Sequence, residues 1–156
     1  MSEVAGSVEE LWNKWGDDLL RYATVLVGPD DAGDVVDDTV VKVLSMAEGG
    51  DARRAFEKPY LFRMVLNQAR MTHRSRSRRE RREWRVSALP DHVELLADPT
   101  IRQAVGRLSV MQRAVVYLTY WEDLAPATVA AQLDVSEGSV KKHLARARGQ
   151  LRKVLT

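Results

Sequence analysis

Apolar residues recur at intervals of three and four along almost the whole chain, and this spacing constrains the fold more than any other feature. In the first stretch the recurring residues are Val8, Leu11, Trp12, Trp15, Leu19, Tyr22 and Leu26. Such spacing puts side chains on one face of an α-helix, and the Gly28-Pro29 pair that follows is a helix-stopping signal. No stretch shows the alternation typical of a strand. The sequence therefore predicts an all-α fold.

The same spacing predicts a second helix over about residues 31–47 and a third beginning near Pro59, which continues into the stretch RMTHRSRSRRERR. Their predicted inward-facing residues are Val36, Val40, Val43, Leu44, Leu61, Met64, Val65 and Ala69. From residue 83 to 98 the helical pattern weakens and a proline interrupts it. We therefore predict two small helical domains, residues 1–85 and 99–156, joined by a linker at residues 86–98.

In the second domain, a short helix is predicted around Ile101 to Leu108, and Ser109 with Gln112 three residues later forms a capping-box signature for another helix through Trp121. Two further helices follow, Pro126 to Leu133 and one beginning at Glu137. Asp134-Val135 and the capping residue Ser136 separate them. This is the pattern of a helix-turn-helix, whose second helix enters the major groove of DNA.

Charge is segregated along the chain although the net charge is only +2. Residues 1–57 carry −8, residues 58–85 carry +8, residues 86–100 carry −3 and residues 101–156 carry +5. Two basic segments indicate two contacts with a polyanion, and the acidic segment indicates a basic partner. For any single charged segment, the alternative interpretation is a solvated helix face that binds no partner.

Several classes of protein are excluded or disfavoured. The chain has no cysteine, which removes disulfides and thiolate sites. No apolar run approaches the roughly 18 residues of a membrane span, and the start MSEVAGSVEELW lacks the features of a signal peptide. We therefore expect a cytoplasmic protein without membrane contact.

The helix that begins at Glu137 has two different faces. Its packing stripe consists of Val140, Leu144, Ala147 and Leu151. On the other side, Lys142 and Arg146 can donate to guanine, Ala145 can lie against a thymine methyl, and Ser139 suits a phosphate. An amphipathic hairpin with a basic solvated face is the alternative.

At this point the sequence resembles a known family, the extracytoplasmic function (ECF) sigma factors of bacterial RNA polymerase. The stretch RLSVMQRAVVYLTYWEDLAPATVAAQLDVSEGSVKKHLARARGQLR resembles their region 4, LVGPDDAGDVVDDTVVKVL resembles region 2.2, and PYLFRMVLNQARMTHRSRSRR resembles regions 2.3 and 2.4. The chain departs from the family pattern at Asp134, where glycine is usual, at Ala125, where a serine or threonine cap is usual, and at Tyr60, where tryptophan is common.

The resemblance implies a sigma factor that binds core polymerase, recognises the −35 and −10 promoter elements and catalyses no reaction itself. Implied partners are the β′ clamp helices, the β flap and promoter DNA, with an anti-sigma factor as a further possibility, and no cofactor is implied. We assign the −35 contacts to Ser139, Lys141, Lys142, His143, Ala145 and Arg146. The −10 contacts are assigned to Arg63, Asn67, Arg70 and Arg74, and the loop EGGDARRAFEK before them is implied to receive a flipped base.

Two of these assignments have alternatives. Asn67 could bind a base edge or cap a buried backbone group. The acidic side of the second helix, formed by Asp30, Asp34, Asp37 and Asp38, could bind Mg²⁺, stabilise the helix start, or face a protein. The resemblance implies polymerase docking by Asp34, Asp37 and Asp38.

Two other functions are alternatives to a sigma factor. A stand-alone helix-turn-helix regulator explains the C-terminal half but not the two basic segments, and a helical metal-dependent phosphohydrolase would need more ligands than the sequence shows.

Overall fold

The computed structural model describes residues 2–49, 57–76 and 98–155, and every regular element in these ranges is helical. The elements are α1 (Ser2–Val27), α2 (Pro29–Glu48), α3 (Lys58–Arg76), α4 (Pro99–Gly106), α5 (Val110–Val116), a π-helical turn (Tyr117–Trp121), α6 (Pro126–Leu133) and α7 (Glu137–Leu155). The prediction of an all-α fold is confirmed. The predicted linker up to residue 97, the arginine-rich stretch from residue 77 and most of the loop before α3 lie outside the described residues. None of the described helices is long and apolar enough to cross a bilayer.

The N-terminal bundle is formed by α1, α2 and α3, which pack on one another. Gly28 separates α1 from α2 with a φ of 89°, a conformation that glycine adopts without strain, and Pro29 opens α2. Val36 and Val43 of α2 are buried as predicted, and all four predicted core residues of α3 are buried: Leu61, Met64, Val65 and Ala69.

Trp12 does not lie in the core, although it shares the apolar spacing of α1. Its side chain is 46% exposed, while its neighbour Leu11 is buried. The indole ring lies against Gly16, where an added Cβ would come within 3.0 Å of it. Trp12 therefore lies at the edge of the buried stripe, where a glycine one turn later leaves room for the ring.

The starts of α4 and α5 follow local capping chemistry. The Asp98 carboxylate accepts a hydrogen bond from the Thr100 amide at 2.8 Å at the start of α4. At the start of α5, Ser109 and Gln112 form the predicted capping box, with distances of 3.1 Å and 3.0 Å. The helix continues to Trp121 as expected, but its last turn is π-helical, a feature that the spacing of apolar residues does not indicate.

The two halves of the chain pack directly against each other through α1 and α3 on one side and α5, the π-helical turn and α6 on the other. At the centre, the rings of Tyr22 and Phe62 stack with centroids 4.5 Å apart, and the ring centroids of Tyr22 and Tyr117 are 5.0 Å apart. We call this contact the junction. Tyr22 and Phe62 have no exposed surface and Tyr117 has very little, so the rings at the junction are shielded from solvent.

A buried arginine connects the ends of two helices at the junction. Arg113 of α5 donates hydrogen bonds to the carbonyl oxygens of Leu26 at the end of α1 (2.5 Å), Val105 (3.1 Å) and Gly106 (2.8 Å). Burial lowers the pKa of Arg113 to about 10, so the guanidinium stays protonated at neutral pH. It thus supplies donors to carbonyls in the last turns of α1 and α4, of which the Val105 carbonyl also accepts from the Leu108 amide.

Candidate nucleic-acid interface

The helix-turn-helix is present at the residues that the sequence predicted. Helix α6 ends at Leu133, and Asp134 follows it in the left-handed region with φ 57° and ψ 46°. Aspartate is among the residues that adopt this conformation without glycine. The Ser136 hydroxyl accepts a hydrogen bond from the Ser139 amide at 3.0 Å, which caps the start of α7.

One side of α7 is fixed by packing. Val140 and Ala147 are fully buried, Leu144 is nearly so, and α7 packs on α4, α5 and α6. Lys142, Ala145 and Arg146 lie on the opposite side and are exposed. Since the buried stripe leaves the helix no freedom to rotate about its axis, these three side chains are held on one outward face.

The other residues predicted to contact the −35 element are only partly held by the rest of the protein. Ser139 is half-buried. The Lys141 ammonium lies 3.3 Å from the Glu137 carboxylate, with both side chains well exposed, and such a pair contributes little to stability. His143 is half-buried, and burial followed by the charges of Arg146, Lys142 and Arg70 lowers its pKa.

An interaction that sequence reasoning missed restrains Arg148 on the flank of α7. Its Nε donates to the Tyr120 hydroxyl at 2.6 Å, and its guanidinium lies 5.6 Å from the centre of the Tyr120 ring. Tyr120 belongs to the π-helical turn, which changes the direction of the side chains that follow it. The contact between Arg148 and Tyr120 could not be predicted because the spacing of apolar residues does not indicate the π-helical turn.

The predicted −10 residues divide into two groups on α3. Asn67 and Arg70 are exposed, and the exposure of Asn67 does not fit a cap on a buried backbone group. Arg74 lies in the last turns of α3, and its side chain is outside the described residues. Arg63 instead contacts the other half of the chain, where its Nε and Nη2 donate to the carbonyl oxygens of Gln132 (3.1 Å) and Ala131 (2.9 Å).

The acidic side of α2 is open to solvent. Asp34, Asp37 and Asp38 are exposed, and Val41, one turn further on, is 64% exposed. Within the described ranges, no three acidic or histidine side chains converge as metal ligands would. The face therefore combines negative charge with one apolar side chain, a composition that fits a basic protein surface.

Comparisons with known proteins give a consistent result. The family "Sigma-70, region 4" matches residues 100–151. The chain is 33% identical to the RNA polymerase sigma-E factor of Streptomyces coelicolor, over 99% of this chain and 89% of the relative. It is 30% identical to the ECF RNA polymerase sigma factor SigL of Mycobacterium tuberculosis, over 90% of this chain and 84% of the relative. A solved structure of CnrH in complex with the cytosolic domain of CnrY superimposes with a TM-score of 0.66 at 26% identity, covering 97% of this chain and 94% of CnrH.

Proposed function

The chain belongs to the ECF family of RNA polymerase sigma factors, and on this basis we propose which of its residues contact core polymerase and which contact each promoter element. As a sigma factor it binds core RNA polymerase and directs it to promoter DNA. The observation that carries this function is the sequence similarity to sigma factors over nearly the full chain. We assign residues 1–85 to core and −10 binding, residues 86–98 to the linker, and residues 99–156 to −35 binding, in a protein that works without catalysis in the cytoplasm, where bacterial RNA polymerase acts.

Recognition of the −35 element is assigned to the outward face of α7. Lys142 and Arg146 are one turn apart and reach the same part of the groove, where cationic donors read guanine. Ala145 between them suits a thymine methyl. Ser139, Lys141 and His143 lie nearer the phosphates, which position a protein on the duplex without reading its sequence.

Docking on core polymerase is assigned to the acidic side of α2, facing the β′ clamp helices. The exposure of its three aspartates supports this assignment because each carboxylate is available to a basic partner. The C-terminal half is assigned to the β flap by the family resemblance.

Replacing Asp34, Asp37 and Asp38 together with alanine is expected to weaken core binding at least tenfold, equivalent to about 1.4 kcal/mol, because three charges that steer and contact a basic surface are lost. Fluorescence anisotropy of the labelled protein titrated with core polymerase measures it. The matched control replaces three exposed acids of α1, Glu9, Glu10 and Asp17. Equal affinities of the two triple variants would show that net charge, not the α2 face, governs docking.

Binding of the −10 element is assigned to Asn67 and Arg70 on the exposed side of α3, to Arg74 in its last turns, and to Arg63 on the same helix. A basic track with polar side chains suits unpaired DNA, whose backbone it follows. The implied pocket for the flipped base belongs to the loop before α3.

Replacing Arg70 and Arg74 with alanine is expected to reduce formation of the open complex more than formation of the closed complex, because these residues follow the unpaired strand. Permanganate footprinting reports unpaired thymines, and gel-shift at low temperature reports the closed complex. We expect a several-fold loss of thymine reactivity with nearly unchanged closed complex. Thymine reactivity equal to that of the parent would contradict the assignment.

An anti-sigma partner is also proposed. It is supported by the similarity to CnrH, which was solved in complex with the cytosolic domain of CnrY. Co-purification from the native host, followed by inhibition of transcription with the purified partner, tests it.

Transcription reconstituted from core polymerase, this protein and a library of promoters tests the function as a whole. A sigma factor gives promoter-dependent transcripts and forms a stable complex with core. A stand-alone helix-turn-helix regulator would bind DNA without core and give no transcripts with core alone, which would overturn the proposal.

A further inference from the structure

Tyr120 is an exposed aromatic residue that contacts α7. Its side chain is 57% exposed. Its hydroxyl accepts the hydrogen bond from Arg148 Nε at 2.6 Å, and the Arg148 guanidinium lies 5.6 Å from the centre of its ring. Because an exposed ring buries little apolar area, this contact adds little to the stability of the fold. Its main structural effect is to fix the place of one cationic side chain of α7.

The π-helical turn brings Tyr120 to α7. In this turn the Glu122 amide donates to the Tyr117 carbonyl, five residues earlier, at 3.2 Å, and turns of this kind often occur at functional sites. The next residue, Trp121, contacts the N-terminal bundle instead, where its ring centre lies 5.0 Å from the Arg21 guanidinium. Of these two neighbouring aromatic residues, Tyr120 is therefore the one that reaches the helix assigned to DNA.

Arg148 lies on a basic flank of α7, beside its outward face. Lys141 and Arg148 are seven residues apart, so they lie within about 20° of each other around the helix axis and about 10 Å apart along it. The sequence of α7 contains one acid, Glu137, and that acid pairs with Lys141. The flank therefore presents two separated cations, and Arg148 has no carboxylate neighbour on its own helix.

A helix in the major groove meets phosphates along its flanks. The groove is about 12 Å wide, and a helix with its side chains is about 10–12 Å across. Side chains next to the outward face therefore reach the sugar-phosphate walls of the groove. With Lys142 and Arg146 toward the bases, as proposed above, Arg148 lies toward one of these walls.

The bond to Tyr120 leaves most of the Arg148 guanidinium available. Arginine has five N–H donors, one on Nε and four on the two Nη atoms. Tyr120 accepts from Nε, so both Nη groups remain for a partner, and such a pair of donors matches two oxygens of a phosphate. Tyr120 also restrains a side chain that is otherwise mobile, so less conformational entropy is lost when the phosphate binds.

We propose that Arg148 binds a backbone phosphate of the −35 duplex and that Tyr120 is its positioning residue. The inference rests on the function proposed above and adds to it a phosphate contact two helical turns from that of Lys141. Because a phosphate carries no sequence information, this contact strengthens binding to every sequence and fixes how α7 lies in the groove.

Holoenzyme reconstituted with the full chain and bound to a labelled promoter duplex at low temperature tests the inference. We expect Arg148→Ala to weaken this closed complex about tenfold, by the same factor for every −35 sequence. It should also reduce the salt dependence by about one unit. Lys14→Ala, which removes one exposed charge from α1, is the matched control and should do neither.

Tyr120→Phe keeps the ring and removes the hydroxyl that accepts from Arg148. It should weaken the closed complex about threefold, the cost of ordering one released arginine side chain, and leave the urea midpoint of unfolding unchanged. In the Arg148→Ala background it should have no further effect, because Tyr120 acts through Arg148. Lys141→Ala and Arg148→Ala should instead multiply, since side chains about 10 Å apart bind separate phosphates independently.

Duplexes with a single phosphate replaced by a neutral methylphosphonate group identify the phosphate that Arg148 binds. At that position the replacement should weaken binding by the parent and have no effect on binding by Arg148→Ala. Tyr120→Phe should show a reduced effect at the same position. Lys141→Ala should keep that effect and lose the effect of a replacement at a different position. A residue that only stabilises the fold would not alter the response to one particular phosphate.

Three results would overturn the inference. In the first, Arg148→Ala binds the promoter as tightly as Lys14→Ala. In the second, Tyr120→Phe weakens binding equally with and without Arg148. In the third, the parent and Arg148→Ala respond alike to every neutral replacement. Transcription by the parent holoenzyme is measured in parallel. Any of these results with normal transcripts overturns the phosphate contact alone, whereas a parent that gives no promoter-dependent transcripts overturns the proposed function and this inference with it.

Discussion

Replacing Arg113 with alanine is expected to lower the free energy of unfolding by about 3–5 kcal/mol, the largest effect on stability that we predict from a single change. The substitution removes three hydrogen bonds from a charged donor and leaves the carbonyls of Leu26, Val105 and Gly106 without that partner. It also leaves space at a site where the side chain is almost fully buried. Urea denaturation followed by circular dichroism measures the change.

Arg107→Ala is the matched control for this experiment. Arg107 is an exposed arginine just after α4, and its loss should change the free energy of unfolding by no more than about 0.5 kcal/mol. If the two substitutions lower the free energy of unfolding by similar amounts, the hydrogen bonds of Arg113 add nothing to the stability that an exposed arginine contributes, and the prediction is wrong.

Replacing Lys142 and Arg146 with alanine is expected to remove most of the preference for the −35 element. Each cation that reads guanine contributes about 1–3 kcal/mol of discrimination, and both lie on the face of α7 that packing leaves outward. Selection of randomised −35 DNA by the reconstituted holoenzyme measures the preference position by position. The double variant should select nearly random sequences at the positions that the two side chains read.

Lys141→Ala separates base reading from phosphate contact. Lys141 lies on the flank of α7 and pairs with Glu137, so its loss should weaken binding to all sequences alike and reduce the salt dependence by about one unit. If Lys141→Ala alters the selected sequences and the double variant does not, the recognition face of α7 is assigned to the wrong residues.

Much of the local structure of this protein could be predicted from its sequence, because it depends on residues a few positions apart. Apolar spacing predicted the helices and the buried residues of α3, since a helical period leaves a visible pattern. The capping box at Ser109 and Gln112 and the turn at Asp134 were predictable because each involves residues a few positions apart. The outward face of α7 followed in the same way, as the side opposite Val140 and Leu144.

The tertiary structure decided what depends on distant segments. Arg63 was assigned to DNA because its sequence neighbourhood is basic, yet it binds the carbonyls of α6, and Arg113 was assigned no role although it connects the ends of α1 and α4. Both side chains bind main-chain carbonyl oxygens, which every residue carries, so the partner leaves no trace in the sequence. Such contacts arise only when packing brings a helix end within reach of a donor.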